Sequence, residues 1–357
     1  MMKKVHSDVI QFRGSHYDFG HHQGELLRDS LLLPNRKAQR GQNSRQLLTD
    51  EAQSIEMLER FAPRIWEEIE GLADALEWPF VDALREFGGY YIEYTRSGCS
   101  IISHTDFLVR NYDSSPQGYE GRFALYEPTD GGYASIGPSM QITGRTDGLN
   151  EKGLTMGYNF INRRNSADGF ICNMIGRLIL EHCATVEEAI DLLNELPHRR
   201  SFSYVLLDRS GRSVVAETSP RNVIVREAAV STNHFEILSE ENRYQIDDSK
   251  RREQALLTHA STSNDAYAAF RLLNDSAQGV FSTKYSTASG TLHTASYFPD
   301  SLEVGFAIGP DRLPLMFDFQ KWLQGERLLA KRINGKIDTH FPFPHLDDMA
   351  ALQQKNG

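Results

Sequence analysis

The sequence predicts an α+β protein made of two stacked antiparallel sheets with helices on their outer faces. Three observations lead there. Residues before position 98 carry helical periodicity, whereas those after it carry mostly short alternating strands. The strands come in neighbouring pairs joined by short turns, which favours antiparallel pairing. The helices between them have single apolar faces, so each needs a sheet to cover. With 357 residues and 40% hydrophobic content, the chain is long enough for a layered core.

The elements follow in order. Residues 9–13 alternate as a short strand, stopped by Gly14. A helix follows through residue 33, with Gly20 and Gly24 allowing close approach of a neighbour. His21 and His22 lie on different sides of it, with no carboxylate expected at helical spacing, so they do not read as metal ligands. Asp50 and Gln53 fit a capping box. Ile55, Leu58, Ala62, Ile65, Ile69, Leu72 and Leu76 then form one apolar stripe, which Pro63 should kink or split into two helices. Val81, Leu84 and Phe87 mark a further short helix, ended by Gly88 and Gly89.

Beyond residue 98, strands are expected at 100–103 and 107–111, joined as a hairpin by His104, Thr105 and Asp106. Others are expected at 133–136, 154–159, 204–207, 213–217, 222–227, 229–232, 291–298 and 302–308. Helices are expected at 173–182, at 186–193 behind a Thr185/Glu188 capping box, at 250–259 and at 265–274.

Composition excludes several classes. The net charge is −10 and no Lys/Arg run reads as a phosphate-binding stripe, so nucleic acid is not an expected partner. No apolar run reaches the ~20 residues of a membrane span or the length of a signal peptide. Three cysteines do not make a disulfide framework, and a reducing, cytoplasmic setting is expected. Cys172 and Cys183 sit in helical context and read as core residues.

The remaining cysteine carries the chemistry. Cys99 follows Gly98, whose backbone can twist as self-cleavage requires. A thiol attacking the preceding carbonyl gives a thioester, and water then splits the chain before Cys99. The freed α-amine, with a pKa near 8, supplies the base that a thiol of pKa ~8.5 needs. The hairpin brings Arg110 and Asp113 back towards Cys99, Arg110 to steady a thiolate and Asp113 to hold an ammonium. Asn159 and Asn233, each at a strand end, are candidate oxyanion donors. His234 is a rival general base, which would make the protein a Cys-His hydrolase. Arg251 and Arg252 open a helix and are candidates to support the site.

The motifs GSHYDFGHHQGELL, GCS, RNYD, DGLNEKGLTMGYNF, STNHF, SKRRE and TLHTASYFPDSLEVGFAIG resemble those of the N-terminal-nucleophile hydrolases. The similarity is to the branch of acyl-coenzyme A:6-aminopenicillanic acid acyltransferases, near the choloylglycine hydrolases and penicillin V acylases. The resemblance implies a four-layer αββα sandwich and a zymogen that cleaves itself between Gly98 and Cys99. Residues 1–98 would form a helical segment that stays bound to a catalytic core of residues 99–357. It implies Cys99 as nucleophile and, through its amine, base, with Arg110 and Asp113 in support and Asn159 and Asn233 at the oxyanion. The family's later arginine falls at Arg251 or Arg252, of which Arg252 is the expected site residue. The expected partner is a small amide or acyl-thioester substrate, with neither cofactor nor metal; a homo-oligomer is compatible with the sequence. The expected activity is hydrolysis or transfer at linear non-peptide C–N amide bonds through an acyl-Cys99 thioester. The alternative is an unprocessed relative that only binds such a ligand.

Overall fold

The computed structural model describes residues 2–42, 51–90, 98–162, 166–243 and 246–340. The strands are β1 (Met2–Gly14), β2 (Gly98–Ser103), β3 (Leu108–Ser114), β4 (Arg122–Pro128), β5 (Ser135–Met140), β6 (Gly144–Arg145), β7 (Asp147–Asn150), β8 (Thr155–Phe160) and β9 (Phe202–Leu207). They continue as β10 (Ser213–Thr218), β11 (Val223–Arg226), β12 (Val230–Ser231), β13 (Thr283–Lys284), β14 (Ser289–Phe298), β15 (Glu303–Ile308), β16 (Leu315–Asp318) and β17 (Arg332–Asp338). The helices are α1 (His16–Arg28), α2 (Leu32–Gln42), α3 (Glu51–Phe61), α4 (Pro63–Leu76), α5 (Phe80–Phe87), α6 (Cys172–His182), α7 (Val186–Glu195), α8 (Asp247–Ala260), α9 (Ala266–Asn274) and α10 (Phe319–Leu323). Among the described residues no helix is long and apolar enough to cross a membrane.

The first sheet runs β11-β10-β9-β8-β7-β5-β4-β1-β17, and the second β12-β2-β3-β14-β15-β16. Side-chain alternation sorts the layers. Val205 and Leu207 of β9 face the second sheet, packing with Ile101, Leu108 and Phe306. Tyr204 and Leu206, one residue out of step, face Ile69, Leu178 and Val186 of α4, α6 and α7. Beyond the second sheet, Ile102 and Val109 pack with Leu256, Phe270 and Leu273 of α8 and α9. The order is therefore helix, sheet, sheet, helix, the implied four-layer sandwich.

Among the named strands every pairing is antiparallel, as expected, except that of β1 with β4. β1 runs parallel to β4 from Asp8↔Arg122 to Gly14↔Pro128, and antiparallel to β17 through residues 2–8. Among the described residues before Cys99, five helices follow the expected strand, which lies inside the larger sheet. That strand is far longer than residues 9–13, because its first half pairs with a distant partner that alternation alone does not announce.

Pro63 does not kink a helix; it begins one. α3 stops at Phe61 and α4 starts at Pro63, where the missing N–H is no loss. Ile65, Ile69 and Leu72 of α4 are fully buried, each contributing roughly 1.5–3 kcal/mol. α1 lies against α4 at glycine contact. A Cβ on Gly20 would fall 1.9 Å from the Glu68 carbonyl oxygen, and one on Gly71 2.1 Å from that of Tyr17. Glu25 corrects the reading of the histidine pair: its carboxylate lies 3.8 Å from His21 and 4.0 Å from His22. Asp50, the expected cap of α3, lies outside the described residues, while Thr185 does cap α7 by accepting from the Glu188 N–H.

A buried ionic chain joins the early segment to the rest. Arg177 of α6 donates to Glu68 of α4 at 2.8 Å and to Glu181 at 2.5 Å. The His16 ring bridges Glu181 and Asp130, at 2.7 Å to each.

Candidate active site

β2 and β3 form the expected hairpin, with Gly98 opposite Asp113, Cys99 opposite Tyr112 and Ile101 opposite Arg110. Alternation gives Cys99 and Ile101 to the space between the sheets and Ile102 to the outer face. Arg110 shares the inner face. Its Nη2 lies 3.5 Å from Cys99 Sγ and donates to the Tyr158 carbonyl at 2.6 Å. Its Nη1 donates to the Thr146 carbonyl at 2.6 Å and to the Asp147 carboxylate. Arg110 and Asp147 are both fully buried. Burial opposes each charge, but their mutual attraction outweighs it, keeping Arg110 protonated and Asp147 below the usual carboxylate range.

Asp113 is not on the face of the sulfur. Its neighbour Asn111 donates to the Leu273 carbonyl in α9, so the odd-numbered residues of β3 look towards the outer helices. Asp113 Oδ1 accepts from Thr291 Oγ1 at 2.7 Å, and Oδ2 lies 3.6 Å from where a Cβ on Gly98 would stand. The carboxyl is therefore next to the residue preceding Cys99. Burial pushes its pKa up to about 7, against the opposing pull of Arg252 and the Thr291 hydroxyl.

The backbone of Cys99 is held from the other side. Its N–H donates to Asn233 Oδ1 at 2.8 Å. Arg252, from α8, donates through Nη1 to the Cys99 carbonyl and to Ser100 Oγ, both at 2.7 Å, and through Nη2 to Asn233 Oδ1 at 2.8 Å. Arg251 points away, to the Gly279 carbonyl at 2.7 Å and Asp248 at 3.1 Å, and is exposed. A helix turns 100° per residue, so only one of two adjacent arginines can face the sheet.

The two asparagines sit close to the same strand but with different partners. Asn233 Nδ2 donates to the Phe160 carbonyl at 2.9 Å. Asn159, next to Phe160 in β8, donates through Nδ2 to Ser231 Oγ at 2.9 Å, while among the described residues its buried side-chain Oδ1 accepts no hydrogen bond. The structure thus gathers Cys99, Arg110, Asn233 and Arg252 through direct contacts, and sets Asp113 and Asn159 at the margins. His234, the rival base, bonds to Ser249 at 2.8 Å and Thr232 at 3.2 Å, and none of its contacts is Cys99. Cys172 and Cys183 are buried, and burial pushes both thiols up, Cys183 to about 12. The cavity of about 770 Å³ beside β1, lined by Phe12, His22 and Arg122, includes no candidate site residue.

Sequence reasoning missed the partners that aim these side chains. Asp147 was visible as the first residue of DGLNEKGL and Thr291 as the first of TLHTASYF. Asp147–Asn150 is a strand rather than part of a turn, and that strand carries the carboxylate to Arg110.

Residues 102–312, more than half of the chain, match the family of acyl-coenzyme A:6-aminopenicillanic acid acyl-transferases. The chain belongs to this family. No curated protein matches it in sequence. Among solved structures, this acyl-transferase family member is similar to penicillin V acylase from Agrobacterium tumefaciens, at 15% identity and a TM-score of 0.39 over 63% of this chain and 86% of that one. A mutant conjugated bile acid hydrolase from Clostridium perfringens gives 14% and 0.45 over 68% and 97%. The N-acylethanolamine-hydrolyzing acid amidase ortholog of Caenorhabditis elegans gives 13% and 0.35 over 57% and 93%.

Proposed function

We propose that this protein is a self-processing cysteine amidohydrolase or acyltransferase acting on linear, non-peptide amides. In the first step Cys99 Sγ attacks the Gly98 carbonyl carbon. The Gly98–Cys99 C–N bond breaks as the C–S bond forms, and the proton of the thiol passes to the departing nitrogen. Water then hydrolyses the thioester, giving a Gly98 carboxylate and a Cys99 α-amine. Asp113, with its carboxyl beside Gly98 and a pKa near neutrality, is suited to relay that proton.

In the second stage the α-amine takes the proton of the Cys99 thiol as sulfur attacks a substrate amide. Arg110, permanently charged, stabilises the thiolate across the 3.5 Å contact. Amide N–H groups of Asn159 and Asn233 donate to the tetrahedral oxyanion once released from their present acceptors. The amine leaves with a proton, and the acyl-thioester is resolved by water or by an acceptor amine. Arg252 holds the Cys99 carbonyl and Asn233 together, so nucleophile and donor keep their spacing through both stages.

One observation carries this reading. The nitrogen that cleavage would free is held by Asn233 at 2.8 Å while the sulfur of the same residue faces Arg110. A structural cysteine needs neither contact. The test is mass spectrometry of the purified protein. Two chains meeting at Gly98/Cys99 are expected, with Cys99→Ala staying whole. An intact wild-type chain that still turned over amides would remove the α-amine from the mechanism. Cytoplasmic placement and association of residues 1–98 with the core after cleavage belong to the same proposal.

A further inference from the structure

We propose that His234, Glu236 and Glu253 form a binding site for a divalent transition-metal ion, with Zn²⁺ the best fit, on the loop that follows Asn233. One ligand atom from each residue lies within 4.8 Å of the other two. His234 Nε2 is 2.7 Å from Glu236 Oε1 and 3.3 Å from Glu253 Oε2. Tetrahedral Zn²⁺ with bonds of about 2.0–2.1 Å sets its ligand atoms about 3.3 Å apart, which a small swing of the exposed Glu236 side chain reaches.

The hydrogen bonds around the imidazole point to a cation independently of the carboxylates. Ser249 Oγ accepts from the Asn233 N–H at 2.7 Å and donates its single proton to Thr232 Oγ1 at 2.9 Å. The 2.8 Å contact between Ser249 Oγ and His234 Nδ1 must then use a hydrogen on Nδ1. With Nδ1 engaged by Ser249, Nε2 is the ring nitrogen that faces the two carboxylates and the one a metal ion would take in place of a proton. Among the described residues nothing meets hydrogen-bond geometry with the buried Nε2, its carboxylate contacts being ion-pair distances, and the whole residue is 2% exposed. A ligating histidine whose other nitrogen donates to a neighbour is the usual outer shell of a metal site. Imidazole with carboxylates suits Zn²⁺ in particular. Glu236 is exposed, so the ion can enter from solvent and keep water as its fourth ligand. The nearby positive charge of Arg226 is already matched by Glu217 at 2.9 Å.

The ion would fasten this loop to α8 between the two residues that hold Cys99, Asn233 and Arg252. Such a clip stabilises the folded state without entering the reaction.

The experiment uses the full-length Cys99→Ala chain, stripped with EDTA and desalted so that the reactive thiol cannot bind metal. Zn²⁺ is titrated against a chromophoric chelator, and Co²⁺ is followed by its visible absorption. The expected result is one ion per chain, a Co²⁺ spectrum with no thiolate charge-transfer band, and a melting temperature raised by Zn²⁺. Glu236→Gln and Glu253→Gln should each weaken binding by about 100-fold or more, at least the loss seen on removing an outer-shell partner. Glu240→Gln, a nearby exposed glutamate, should leave it unchanged. Absence of stoichiometric binding, a thiolate band, or equal affinity in Glu236→Gln would overturn the proposal and leave an imidazolium paired with two carboxylates.

Discussion

Asp113 gives the sharpest quantitative test, because burial and nearby cations act on it in opposite directions. In the folded chain its carboxyl has a pKa of about 7, against an ordinary value of 3.8. A group whose pKa rises on folding binds its proton more tightly in the native state. Its contribution to stability is complete below the unfolded pKa and is lost as pH rises through the folded one. Integrated over that window, roughly pH 4 to pH 7, the loss is on the order of 4 kcal/mol. Asp113→Asn imitates the protonated acid and cannot titrate, so it should escape the loss. The comparison is made in the Cys99→Ala background, where chain cleavage cannot intervene. Urea denaturation of parent and Asp113→Asn is measured at several values between pH 4 and pH 8. Other titrating groups, including His16, are common to both proteins and cancel in the difference. The stability of Asp113→Asn relative to the parent should climb by several kcal/mol across the range. A difference that changes by less than about 1 kcal/mol would mean that Arg252 and Thr291 outweigh burial, and the proton-relay role of Asp113 would fall with it.

Asp147→Asn leaves Arg110 charged and without its carboxylate in the core, so a loss of roughly 3–5 kcal/mol in urea denaturation is expected, and a loss below 1 would show the pair to be replaceable. Gly71→Ala forces a Cβ to within 2.1 Å of backbone, so it should abolish or severely weaken folding, as read by circular dichroism; a native-like melt would mean that α1 and α4 can separate cheaply. Arg252→Lys should slow cleavage at Gly98/Cys99 about 10- to 100-fold, the equivalent of one lost charged hydrogen bond, while Arg251→Lys should not; mass spectrometry against time distinguishes them. After cleavage the two pieces should co-elute in size exclusion and separate only in denaturant, because β1 is hydrogen-bonded into the larger sheet; free elution of the early piece would contradict that.

What could be read from the sequence was whatever local pattern decides. The hairpin of β2 and β3, the α7 cap and the break at Pro63 each depend on residues a few positions apart. β4 and β17 were not anticipated: both pair with β1, more than a hundred residues away, and β4 pairs with β5 as well. The site divides in the same way. Cys99 and Arg110 could be placed on one face because a hairpin of known register fixes both. Asp113 could not, since one step of alternation sends its carboxyl to the opposite face, where Thr291, nearly two hundred residues distant, donates to it. Arg252 was indistinguishable from Arg251 until the direction of α8 against β2 was known. The chemistry therefore rests on two kinds of information. The sequence offers Cys99 and its candidate partners, while the packing decides which charge lies near the sulfur, Arg110, and which near Gly98, Asp113. A one-residue shift in the register of α8 against β2 would exchange Arg252 for Arg251 at Cys99 and leave every motif intact. Motif content alone is thus a poor guide to activity in this fold, and the contact between α8 and β2 is the feature on which activity should depend most.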